Sequence, residues 1–191
     1  DNLCLQSSSL PVNDVHISNC SFSSVCAAIR IGLKSIGSIS DVHISHCSMK
    51  NVWREGIKIE CSEGGNISDI NIQDITMNDV SRPIFILLNN RFEPDDLGSS
   101  LELDHIPEIG TMSDIIISDI IASDSDEMRN THYRFDDDVM GSPKFAGIRI
   151  DAEKNHPIRN LTLRNISYKF IGGVKLSDIP NEYPEVIDKL I

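Results

Sequence analysis

Aromatic residues supply only 5% of the 191-residue chain, so aliphatic side chains must fill its core. No run of eighteen or more apolar residues occurs, which excludes a helical membrane span. No positively charged segment leading into an apolar stretch is visible at the start, so no signal peptide is read there. Bases are outnumbered: 17 Lys and Arg against 29 Asp and Glu give a net charge of −12. A nucleic-acid partner would need a basic face to displace counterions, so none is expected. The five cysteines (Cys4, Cys20, Cys26, Cys47 and Cys61) contain no C-x-x-C pair. No structural zinc site, other metal or cofactor is therefore expected. All five read as free thiols, which leans toward a reducing compartment. The sequence leaves cytoplasmic and secreted locations both open.

What is present is a repeat. Five segments align without gaps: VNDVHISNCSFSSV from Val12, ISDVHISHCSMKNV from Ile39, ISDINIQDITMNDV from Ile67, MSDIIISDIIASDS from Met112 and IRNLTLRNISYKFI from Ile158. Their starts are 27, 28, 45 and 46 residues apart, a base period of 27 to 28 with two enlarged repeats. Within the first, Val15 and Ile17 flank His16 in strict alternation, the mark of a strand. The polar pair Ser18-Asn19 then interrupts, and Cys20 and Phe22 resume alternation with the phase moved by one. That shift predicts a corner, repeated at Ser45-His46, Gln73-Asp74, Ser118-Asp119 and Arg164-Asn165.

A third short strand follows each segment: AIRI from Ala28, GIKI from Gly56, PIFI from Pro83, GIRI from Gly147 and GVKL from Gly173. Its second and fourth residues (Ile29 and Ile31, Ile57 and Ile59, Ile84 and Ile86, Ile148 and Ile150, Val174 and Leu176) are expected inside. Arg30, Lys58, Phe85, Arg149 and Lys175 are expected outside. Three short strands per repeat predict an all-β fold, a right-handed parallel β-helix. This solenoid would have about six coils, with like residues stacked about 4.8 Å apart. Neither the unit of a leucine-rich repeat nor the 3.6-residue periodicity of helical repeats is present. The whole chain, 1–191, reads as the C-terminal portion of one such domain, with loops inserted at about 88–111 and 123–145. DNLCLQS, with Leu3 and Leu5 inward, reads as the third strand of an earlier coil, so further coils and a cap are expected before it.

The two loops flank the third-strand ladder, and long loops on one side of a rigid scaffold are where function concentrates. Arg30, Lys58 and Arg149, with Lys175, Arg82 and Arg91 nearby, put bases along one face. Cations at this spacing suit an anionic chain with a repeating carboxylate, although lysine and arginine also commonly solvate exposed strands. The acids of the same region are Asp1, Glu60, Glu63 and Asp151. Asp1 and Glu60 are placed on the ladder two coils apart, about 10 Å, slightly long for the direct carboxylate pair of an inverting glycosidase. His16, His43 and His46 read as solvent-facing, His105 and His132 as loop residues without partners, and Asp136-Asp137-Asp138 as a solvated loop.

From Asp1 to about Gly173 the chain resembles family 28 of the glycoside hydrolases, the polygalacturonase-like β-helices. DNLCLQS is similar to the end of that family's aspartate-aspartate strand motif, with Asp1 as the second aspartate. CAAIRIGLKSIGSISDVHISHC, EGIKIEC and SRPIFILLNNR, which carries Asn89 and Arg91, stand where its next motifs lie. Ala27 takes the place of the family's histidine, and Lys58 and Glu60 the places of an arginine and a lysine. These departures resemble a divergent bacterial subgroup and point away from endo-polygalacturonase activity. The resemblance implies inverting hydrolysis of a pectic or other uronic-acid-containing oligo- or polysaccharide, in an exo manner if loops block one end of the groove. It implies that Asp1 helps activate water, with the general acid just before it. Arg30 and Lys58 would hold the uronate carboxylate, Glu60 would bind sugar hydroxyls or assist catalysis, and Asn89, Arg91 and Arg149 would bind substrate. A polysaccharide lyase and a non-catalytic carbohydrate-binding β-helix are the alternatives on the same fold.

Overall fold

The computed structural model describes residues 1–92, 106–124 and 147–169, except for the side chain of Ser81. The fifth third strand, Lys175, His105, His132, the Asp136–Asp138 run and most of both inserted loops lie outside the described residues. Among the described residues there is no helix, and the strands form one nine-stranded sheet that is not closed into a barrel. The strands are β1 (Leu3–Ser7), β2 (Val15–Ser18), β3 (Ser21–Ser24), β4 (Ile29–Ser35), β5 (Ile39–Cys61), β6 (Asn66–Leu88), β7 (Thr111–Ser123), β8 (Arg149–Ala152) and β9 (Arg159–Lys169).

Every pairing among them is parallel, an arrangement compatible with a β-helix solenoid. The register follows the sequence repeat: Val15 opposes Val42, Val42 opposes Ile70, Ile70 opposes Ile115 and Ile115 opposes Leu161. Like residues therefore stack on like, and the inward columns become continuous aliphatic ridges. Ile44, Ile57, Ile59, Ile72, Ile84, Ile86 and Ile117 are all buried. Ile148 and Ile150 depart from the expectation, standing 40% and 43% exposed. Among the described residues β8 pairs with β6 alone, so its apolar side chains have a neighbouring repeat on one side only.

The corners have a specific backbone chemistry. The second residue of each polar pair (Asn19, His46, Asp74, Asp119 and Asn165) takes the left-handed conformation, with φ between 52° and 57°. Asn and Asp tolerate this region better than other L-residues because their short polar side chains bond locally. A second left-handed column, not foreseen as such, runs through Asp14, Asp41, Asp69, Asp114 and Asn160, just before each alternating strand. Asn51 and Asp79 mark a third bend inside the 23-residue strands β5 and β6. Side chains then tie neighbouring corners together: Asn160 Nδ2 donates to Asp114 Oδ1 and Asn165 Nδ2 to Asp119 Oδ1, each at 2.8 Å.

Gly32 shows why one bend needs glycine. Its φ is +89°, and a Cβ there would lie 2.0 Å from the carbonyl oxygen of Glu60 in the next repeat. No L side chain fits that approach.

Candidate functional site

The third-strand ladder has the register the repeat implies. Cys4 opposes Arg30, Arg30 opposes Lys58, Lys58 opposes Phe85, and Phe85 opposes Arg149. Inward Ile29, Ile57 and Ile84 fix the strand faces, so these intervening side chains project outward. Phe85 is nevertheless only 6% exposed. Three cations cover its ring: Lys58 Nζ at 5.3 Å from the centroid, Arg82 Cζ at 5.3 Å and Arg149 Cζ at 5.6 Å. The negative π-face gives each an electrostatic contact that holds it on the ladder.

Among the described residues, each base of this face also has a carboxylate. Asp1 Oδ2 pairs with Arg30, and its Oδ1 accepts from the Ala27 amide at 3.1 Å. Lys58 Nζ lies 2.9 Å from Glu60 Oε2, and Arg149 Nη2 donates to Asp151 Oδ2 at 2.7 Å. Arg82 Nη1 lies 3.4 Å from Glu55 Oε1, whose other oxygen faces Arg54 Nε at 3.6 Å. Arg91 donates to Glu63 Oε1 through Nε at 2.7 Å and pairs with it again through Nη2. Glu55, Glu63 and Glu60 are buried, at 1%, 3% and 8% exposure. Buried carboxylates survive as ions only when paired in this way.

The register separates the two residues expected to form a carboxylate pair. Asn2 N bonds Ala27 O, Leu3 N bonds Ala28 O, and Ala28 N bonds Glu55 O. Asp1 therefore stands in the column of Ala27, Glu55 and Arg82, whereas Glu60 stands in the column of Gly32 and Leu87. Those columns are five residues apart along the strand, on the order of 16 Å in addition to two ladder steps. The expected separation of about 10 Å counted the steps across the strands and omitted the offset along them. The acid sharing Asp1's column is Glu55, which the sequence reading passed over. Its signal was present in its neighbours, Arg54 beside it and Arg82 one repeat on, but a register irregularity between Val52 and Glu55 hides its column.

Asn89 continues the ladder beyond β6: its main-chain N bonds Cys61 O at 3.1 Å, and its Oδ1 accepts from Ser62 Oγ at 2.6 Å. Arg91, Glu63 and Asn89 thus group at the far margin of the face, where the first inserted loop leaves it. The loop base is tied on by Asn90 Nδ2, which donates to Pro107 O at 2.8 Å.

The stacked histidines His16 and His43 stand elsewhere. His16 and His43 stack with centroids 4.9 Å apart and planes 12° from parallel, and their Nε2 atoms face Asp14 and Asp41. His43 shares with Asp41, Asp69, Asn71, Asp114, Ile116 and neighbours a shallow groove of about 700 Å³ on this second face. Asn160, followed by Ser113, holds the Asp114 carboxyl below its usual value of 3.8. Comparison of the chain with protein-family models, with curated proteins and with solved structures gives no match in any of the three.

Proposed function

We propose that this chain forms part of a right-handed parallel β-helix that hydrolyses, with inversion, a pectic or other uronic-acid-containing oligo- or polysaccharide. The supporting observation is the column Cys4–Arg30–Lys58–Phe85–Arg149, with a carboxylate beside every base. A sugar chain laid along it meets donors that suit a uronate carboxylate and acceptors that suit hydroxyls at each step. In this reading Asp1, held in place by Arg30 and the Ala27 amide, orients water. Lys58 and Arg30 grip the uronate, Glu60 accepts from hydroxyls, and Asn89, Arg91 and Arg149 bind flanking sugars. Glu55 acts indirectly, by holding Arg82 against Phe85.

Because every described base of this face is already paired, it presents little net positive potential. Recognition then rests on hydrogen-bond geometry at close range, with little long-range steering. A binding-only role is the second reading, favoured by that same complete pairing, which makes a stable surface without a free acid. The test is incubation of the protein with polygalacturonate, rhamnogalacturonan and unsaturated oligouronides. New reducing ends without new ultraviolet absorbance support hydrolysis. A rise in absorbance from unsaturated ends would replace hydrolysis with β-elimination. Retention on immobilised pectate without turnover would leave the binding role.

A further inference from the structure

We infer that Cys20 and Cys47 are a dithiol pair that closes into a disulfide on oxidation, stapling two successive repeats at one corner. Both follow the left-handed corner residue, Asn19 in one repeat and His46 in the next. The main chain places them side by side in register, since Ser48 N bonds Cys20 O at 2.9 Å and Asn19 N bonds Ser45 O at 3.2 Å. The thiols share an orientation: Cys20 Sγ donates to Ser18 O at 3.4 Å and Cys47 Sγ to Ser45 O at 3.2 Å. Adjacent ladder positions stand about 4.8 Å apart. Cα atoms joined by a disulfide are usually about 4.4–6.8 Å apart, so the bridge needs side-chain rotation and little backbone movement.

The two thiols are unequal. Cys20 is partly exposed and Cys47 is buried. Burial, the largest influence, raises the Cys47 thiol above its ordinary value, and the Cys20 thiol beside it adds to the rise. The order of events follows from accessibility. The Cys20 thiolate attacks a low-molecular-weight disulfide, releasing one thiol and forming a mixed disulfide. Cys47, giving up its proton, then attacks the Cys20 sulfur and expels the second thiol. The protein loses two protons and two electrons, which the small disulfide takes up in becoming two thiols. Of the other cysteines, Cys61 is buried with its thiol also raised by desolvation, and Cys4 is exposed with no cysteine beside it in its column.

The test treats the folded chain with oxidised glutathione, then maps peptides by mass spectrometry without reduction. The expected product is a Cys20-peptide joined directly to the Cys47-peptide, two hydrogens lighter than the reduced pair. In Cys47→Ser the same treatment should stop at one glutathione on Cys20. The oxidised wild type should also unfold at higher urea concentration, reversed by dithiothreitol. Glutathione remaining on Cys20 of the wild type with Cys47 still reduced, or no reaction at either residue, would overturn the pairing. The wild-type map needs no substitution, so a poorly folding variant does not blunt it.

Discussion

Two outward faces of the same ladder treat charge in opposite ways. On the third-strand face Glu55, Glu60 and Glu63 are almost fully buried, and the bases that hold them are packed over Phe85 or Phe92. On the histidine face the side chains of His16, Asp14, His43 and Asp41 stand 67%, 79%, 45% and 55% exposed. The backbone spacing is common to both. What differs is the number of large side chains that exclude water, and this decides whether an ion pair is a structural commitment or a surface ornament.

The largest effect should come from the buried pair. Arg82→Ala strips the closer cover from the Glu55 carboxylate, and urea unfolding should show a loss of about 3–5 kcal/mol. A loss below 1 kcal/mol would mean that water or Arg54 already satisfies Glu55, and the contrast between the faces would shrink. Core substitution sets the scale on the same plot: Ile72→Ala, fully buried, should cost about 2–5 kcal/mol. Gly32→Ala forces a side chain into a left-handed residue against the Glu60 carbonyl and should cost about 1–3 kcal/mol. If Glu60 belongs to the sugar-binding ladder, this variant should also lose pectate binding.

On the exposed face, Asp41→Asn, which keeps a side chain suited to the left-handed backbone, should change stability by less than about 0.5 kcal/mol despite the 2.9 Å contact of Asp41 with His43. A larger change would show that the ion pair does stiffen that face, and the contrast between the faces would shrink. The smallest effect concerns acid. Asp114 is depressed by Asn160 and Ser113, so its contribution is complete above its ordinary value of 3.8 and is lost as pH falls through its lower folded value. Asp114→Asn should therefore lower stability slightly at neutral pH, leave it unchanged in strong acid, and so flatten the acid limb of the stability curve. An unaltered acid limb would remove this carboxylate from the account.

The parallel sheet, its register and the corner dipeptides were legible in the sequence because a repeat reports its own period. Alternation located Ile57 and Ile59 inside, and the phase shift located His46 at a bend. The Asp41 column escaped notice because an aspartate before a strand looks like ordinary surface, and its positive φ has no apolar signature. The site was legible in one dimension only. Counting repeats put Asp1, Arg30 and Lys58 on one face, but offsets along the strand and the irregularity after Val52 decide which acids meet. Burial of the charged side chains was not legible: nothing in the string distinguishes the covered Glu63 from the exposed Asp41.

One feature of the register reaches beyond this chain's present form. Asn66 and Thr111 are ladder partners bridged by a side-chain bond although 45 residues separate them, whereas Ser21 and Ser48 make the equivalent contact across 27. The ladder thus keeps time by steps, indifferent to how much chain is spent between them. Lineages or designers can lengthen, shorten or exchange an excursion after Leu88 while Asn66 still meets Thr111. Specificity in such a scaffold is free to drift at its margins without renegotiating the core.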